Sequence, residues 1–191
     1  MTNEIVLDIE TQNSFQEVTR HDLRLLKISV VGIYEYAADR YQVFRESALN
    51  NLWPILEKAD RLIGYNINKF DLPILNHYYP GDIFRLPTLD MMEIVKNTYG
   101  RSPKLDDLAR ATFNRPKSGD GLKAIAYFKD GRWDELEKYC LDDVKITKEL
   151  YEYGKKFRIV KCLSHFNTPE DIAVDFAPKE EKKQINLSLP F

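Results

Sequence analysis

Apolar and polar positions along the chain change period several times, and each change marks an element. Residues 4–9 are apolar on both faces before their acids appear, the pattern of a central strand covered on two sides. A polar loop over 12–22 follows. Residues 25–36, rich in Ile, Val and Tyr, predict a second strand. Residues 41–44, after an Ala-Asp-Arg turn, predict a third strand paired with the second as a hairpin. From Ser47, a candidate cap, the spacing of Leu49, Leu52, Ile55 and Leu56 is helical. A buried strand is expected over 61–65, a helix over 72–79, a short strand over 83–86, and helices over 91–98 and 105–113. Residues 114–121 read as a loop from turn chemistry. A long helix over 133–156 has Leu136, Tyr139, Cys140, Val144, Thr147, Leu150 and Tyr151 along its inner side. Residues 158–166 and 172–176 predict a terminal hairpin, and the charge run 179–183 leads into a tail.

Three strands in succession followed by alternating strands and helices predict an α/β fold, a mixed sheet with an antiparallel edge flanked by helices. The expected division is a main domain over 1–157, a hairpin extension over 158–178 and a tail over 179–191. A chain of 191 residues supports one well-buried core.

Composition narrows the class. Hydrophobic residues at 43 % and charged residues at 30 % are ordinary for a globular protein. No apolar run approaches the roughly 20 residues of a membrane span, and the N-terminus lacks the basic flank of a secretory signal. A cytoplasmic location without membrane contact is the expectation. Cys140 and Cys162 have neither the number nor the spacing of a disulfide framework or a zinc site. A net charge of -2 argues against coating duplex nucleic acid through bulk electrostatics. It does not argue against an acidic centre that holds cations.

Candidate chemistry lies in the acids. Asp8 and Glu10, two apart in a strand, project from one face, where unpaired carboxylates are costly and a dication removes the penalty. The alternative is a strand that ends at Asp8 with both acids in water. Asp71 stands before Leu72-Pro73 at a helix start, where a helix cap is the competing role. Asp143 follows Tyr139 by four residues, about 40° around a helix, on the side of Leu136, Val144 and Thr147. Asp142 faces the other flank.

Together, Asp8-Ile-Glu10-Thr11, Asn66 through Phe70-Asp71, and Tyr139-Cys-Leu-Asp-Asp143 resemble, in order and separation, the three motifs of the DEDD-superfamily 3′-to-5′ exonucleases. The tyrosine four residues before the last acid resembles the tyrosine (DEDDy) subgroup; the histidine subgroup would have His where Lys138 stands. Asp120-Gly121 before the long helix and Tyr139-Cys140-x-x-Asp143-Val144 within it are similar to exonucleases of ribonuclease H-like fold. The resemblance covers about 4–155.

It implies two divalent ions, Mg²⁺ or Mn²⁺, which suit oxygen ligands, about 4 Å apart. Asp8 would bridge them, Glu10 and Asp143 would complete one and Asp71 would hold the other. Tyr139 would orient the attacking water, a phenol being a poor base. The implied substrate is the 3′ end of a single-stranded DNA or RNA. A non-catalytic nucleic-acid-binding module and an endonuclease using the same acids are the alternatives.

Lys69, Arg115, Lys117 and Lys123 are candidates for backbone phosphates, or plain solvated charges. Tyr65, Phe70 and Tyr127 are candidates for base stacking, or core aromatics. The tail residues Gln184, Leu187, Leu189 and Phe191 resemble the glutamine-and-leucine peptides with which bacterial replication and repair proteins bind a sliding clamp. Residues 185–189 also alternate as a last strand would.

Overall fold

The computed structural model describes residues 2–18, 22–115, 122–164 and 168–177. A five-stranded mixed sheet organises the chain, in the order β3-β2-β1-β4-β5. Its strands are β1 (Glu4–Thr11), β2 (Ile28–Glu35), β3 (Arg40–Arg45), β4 (Arg61–Gly64) and β5 (Thr88–Asp90). β1, β2 and β3 pair antiparallel, whereas β4 runs parallel to both β1 and β5. The expected antiparallel edge is therefore present.

Alternation along β1 decides what each face carries. Ile5, Leu7 and Ile9 enter one core with Val31 and Ile33 of β2. A 3-10 turn (Glu46–Asn51), α1 (Trp53–Leu56) and α2 (Asp71–Leu75) cover that core through Leu49, Leu52, Leu56, Leu72 and Leu75. Val6 faces the opposite layer, and Asp8 and Glu10 share its side by the two-residue period. That layer holds α3 (Met91–Tyr99), α4 (Leu105–Phe113), α5 (Leu122–Lys129) and α6 (Trp133–Phe157). Fully burying each such aliphatic side chain contributes about 1.5–3 kcal/mol, so two cores flanking one sheet hold β1 rigidly in the middle.

α6 runs 25 residues, about 38 Å at its helical rise. Asp134 and Glu135 in its first turn and Lys155 and Lys156 in its last complement the helix dipole. Its buried residues are those of the expected stripe, with Ile146 and Gly154 added and Tyr139 half-buried.

Several expectations need correction. β2 begins at Ile28 rather than at residue 25. The helix expected from Ser47 is a 3-10 turn followed by one α-turn, and Ser47 does not cap it. Residues 83–85 form a 3-10 turn instead of a strand, because Asp82 accepts the Phe84 N–H and closes the chain on itself. The strand follows at 88–90. α5 was not expected. β6 (Ile159–Leu163) and β7 (Pro169–Ala173) form a terminal hairpin as a separate two-stranded sheet, but Pro169 to Asp171, expected in its turn, lie in β7. Lys117, Asp120-Gly121 and the tail residues from 178 onward lie outside the described residues. Among the described residues, no helix is long and apolar enough to cross a membrane.

Candidate active site

β1 continues to Thr11, past both of its acids, so Asp8 and Glu10 stand inside the strand rather than beyond its end. Each is half-buried on the face that α6 covers. Asp143 reaches the same place from α6, and one carboxylate oxygen from each of Asp8, Glu10 and Asp143 lies within 4.8 Å of the others.

A close approach of helix to sheet makes this meeting geometric rather than accidental. Asp8 stands opposite Gly32 of β2. A Cβ at position 32 would lie 2.8 Å from the Cys140 Sγ and 3.0 Å from Val144 Cγ2. Only glycine lets α6 lie this close to the β1–β2 pair. Cys140, fully buried, then donates weakly from its thiol to the Asp8 backbone oxygen at 3.7 Å and faces its carboxylate at 3.9 Å. Sequence reasoning missed Gly32; a glycine inside a strand rich in Ile and Val was the available signal.

Asp71 arrives from the opposite side of β1. It is the first residue of α2 rather than its cap, since Phe70 occupies the cap position without a side-chain bond. Its side chain, 4 % exposed, accepts the Ile9 N–H at 3.2 Å, between the two acids of β1. The capping role weighed for Asp71 is thus replaced by a tie to the strand that carries Asp8 and Glu10.

All four carboxyls titrate high. Burial, followed by the charges of Asp71, Asp143 and Glu10, pushes Asp8 well above the usual carboxylate range. Burial and the charges of Asp143 and Asp71 do the same to Glu10. Asp71 is pushed up to about 7 by burial, against which the Ile9 amide pulls down. Asp143 is pushed up to about 7 by burial and by the charges of Asp142 and Asp106. Among the described residues no lysine or arginine forms an ion pair with any of the four. Crowded carboxylates without a cationic side chain, offering oxygen alone, fit a hard divalent cation. Asp8, Glu10 and Asp143 could hold such an ion directly, with Asp71 beside them.

Tyr139 lies one helical turn before Asp143, half-buried against the cluster of Val30, Ala124, Leu136 and Cys140. Of the candidate phosphate contacts, Lys69 pairs with Glu93 at 3.7 Å and Arg115 with Glu149, whereas Lys123 is exposed on α5. The candidate stacking residues pack in the cores. Tyr65 donates its hydroxyl to the Pro103 carbonyl, Phe70 meets Phe15 edge-on at 6.0 Å, and Tyr127 lies under Arg132.

Comparison with known proteins agrees with this architecture. No curated protein matches the chain. Among solved structures, the family B DNA polymerase of the hyperthermophilic archaeon Pyrobaculum calidifontis shares the fold, with TM-score 0.66 and 21 % identity over 82 % of this chain. The match spans 25 % of the polymerase, so the likeness is to one part of a much longer protein. Residues 5–154, which carry all four acids and Tyr139, match the model of the RNase_H superfamily, and the chain belongs to that superfamily.

Proposed function

We propose that the chain is a two-metal-ion 3′-to-5′ exonuclease that hydrolyses single-stranded nucleic acid, DNA before RNA, to nucleoside 5′-monophosphates. The observation that carries this reading is the convergence of Asp8, Glu10 and Asp143 within 4.8 Å, with Asp71 tied to the strand between the first two. A fold shared with a DNA polymerase is compatible with a nucleic-acid substrate.

Asp8, Glu10 and Asp143 would hold one Mg²⁺ or Mn²⁺, and Asp8 and Asp71 would hold the other. Such ions would supply an activated water there and offset the charge on the leaving 3′ oxygen. The chain contributes position. β1 fixes Asp8 and Glu10 on one face, α6 brings Asp143 to them, and Asp71 is held through Ile9. Tyr139 orients the attacking water by accepting or donating a hydrogen bond at its hydroxyl, without acting as the base. The tail residues Gln184, Leu187, Leu189 and Phe191 bind a sliding clamp, which would keep the enzyme at replicating DNA.

The test is digestion of 3′-labelled and 5′-labelled linear strands, DNA and RNA in parallel, with and without Mg²⁺ or Mn²⁺. The expected outcome is stepwise release of the 3′ label as a nucleoside monophosphate, abolished by Asp8→Ala, with circular single strands left uncut. Cutting of the circle would favour an endonuclease, and binding without products in wild type would favour the non-catalytic module. Tyr139→Phe should lower turnover about tenfold or more while Mn²⁺ affinity stays within about twofold. Wild-type turnover in that variant removes Tyr139 from the mechanism.

A further inference from the structure

Asp90 closes β5 and is 4 % exposed, yet the mechanism above does not use it. Its carboxylate accepts four backbone N–H groups. Oδ1 takes those of Asn66 at 2.9 Å, Met92 at 3.0 Å and Glu93 at 3.3 Å, and Oδ2 takes that of Asn68 at 3.1 Å. The bonds from Met92 and Glu93 are an ordinary N-cap of α3. Those from Asn66 and Asn68 are not, because both residues lie in the loop that joins β4 to α2.

The same turn of α3 holds the loop twice more. Glu93 accepts from the Asn68 side-chain amide at 3.1 Å and pairs with Lys69 at 3.7 Å. Asn66 sits at φ 67, a left-handed conformation that costs a non-glycine residue energy unless its surroundings impose it. From Asn66 the chain folds at once into α2, with the Phe70 N–H on the Asn66 carbonyl at 3.1 Å and the Leu72 N–H on the Ile67 carbonyl at 2.9 Å. Asp71 lies between those two donors, its carboxylate on the Ile9 N–H.

We infer that Asp90 is a positioning residue: it clamps the loop between β4 and α2 to the first turn of α3 and thereby aims Asp71 at the second cation. Asp71 is then located from two sides, by β1 through Ile9 and by α3 through Asp90. The inference rests on the metal reading above for what Asp71 is aimed at, and on the hydrogen bonds for the clamp itself.

Asp90→Asn separates the clamp from the cap. An asparagine oxygen in the place of Oδ1 still serves Asn66, Met92 and Glu93, whereas its NH₂ faces the Asn68 N–H, donor against donor. Titration of the full chain with Mn²⁺, followed by electron paramagnetic resonance, should show two classes of site in wild type. In Asp90→Asn the second class should weaken about tenfold, as for partners that orient ligands from behind, and the first should be unchanged. Asp82→Asn alters a cap that holds only its own 3-10 turn, and should bind Mn²⁺ as wild type does.

Hydrogen exchange of the wild-type chain supplies a measurement that needs no variant: the Asn66 and Asn68 amides should exchange as slowly as those of β4. Wild-type Mn²⁺ affinities in Asp90→Asn, or rapid exchange at both amides, would overturn the positioning role and leave the proposed activity standing. A wild-type chain that binds no Mn²⁺ overturns the proposed activity and this inference together.

Discussion

The four acids make metal binding and proton binding compete at single residues. Asp71 and Asp143 are pushed up to about 7, and Asp8 and Glu10 are raised as well, all with burial as the first cause. In the unfolded chain the same groups release their protons near pH 4. The contribution of Asp71 and Asp143 to stability is therefore present in full below about pH 4 and is lost as pH rises through about 7. A cation binds the ionised form and offsets that loss. The metal-free chain should accordingly melt several degrees lower at about pH 8 than at about pH 5.5. The rise in Tm caused by Mn²⁺ should grow over the same interval and shrink in Asp71→Asn. Thermal denaturation with and without Mn²⁺ checks this, and a cation effect equal at both pH values would count against a carboxylate site. At this scale the sequence was informative where chain geometry alone fixes direction. A two-residue step in a strand puts Asp8 and Glu10 on one face, and a four-residue step in a helix puts Tyr139 and Asp143 on one side. It was silent on Asp90, because an aspartate before a helix looks the same whether it caps that helix alone or also holds a distant loop.

Elements carry these residues to one place, and the decisive contact is α6 on the β1–β2 pair. Gly32→Ala puts a methyl group 2.8 Å from the Cys140 Sγ and 3.0 Å from Val144 Cγ2, so α6 must back away from the sheet and take Asp143 with it. Overpacking of this kind costs about 1–3 kcal/mol. Turnover should fall at least about tenfold, since sub-ångström misplacement of catalytic groups is expensive. Ile172→Val, in the buried side of β7 away from the acids, costs about 1 kcal/mol and should leave turnover unchanged. Comparable activity in the two variants would mean that the helix-to-sheet distance does not govern the site. Long elements with strong periodicity, β1, β2 and α6, were legible in the sequence. β5 was not, since three residues after a proline carry no period and the more strand-like Ile83-Phe84-Arg85 is turned by Asp82. α5 was missed because its eight residues bury Ala124 alone in full, too narrow a stripe to stand out.

Over the whole molecule, the segment beyond α6 is joined to the body by more than its hairpin. Phe176, 1 % exposed, stacks on Tyr151 with ring centroids 6.2 Å apart. A Cβ at Gly154 would lie 2.3 Å from its ring, so α6 has a glycine where Phe176 must lie. Arg61 reaches the Phe176 carbonyl at 3.3 Å and the Tyr151 hydroxyl at 2.7 Å, and its remaining partner is Glu4 of β1, onto which Tyr151 also donates at 2.7 Å. One buried network thus links the start of the sheet, the end of α6 and the chain at residue 176. Truncation after Phe157 would strip the aromatic and the hairpin from that network. It should abolish cooperative folding or lower Tm by more than about 10 °C, given about 3–5 kcal/mol for loss of one buried phenylalanine. Truncation after Lys183 removes Gln184 to Phe191 and leaves every contact just described. It should keep the Tm and the hydrolysis of short single strands, and lose retention on an immobilised sliding clamp if the tail is the tether proposed above. Equal clamp retention by the intact and the shortened chain would exclude the tether. A fall in Tm on removing only those eight residues would instead assign them to the body of the protein, as a final strand whose apolar alternation serves the fold rather than a partner.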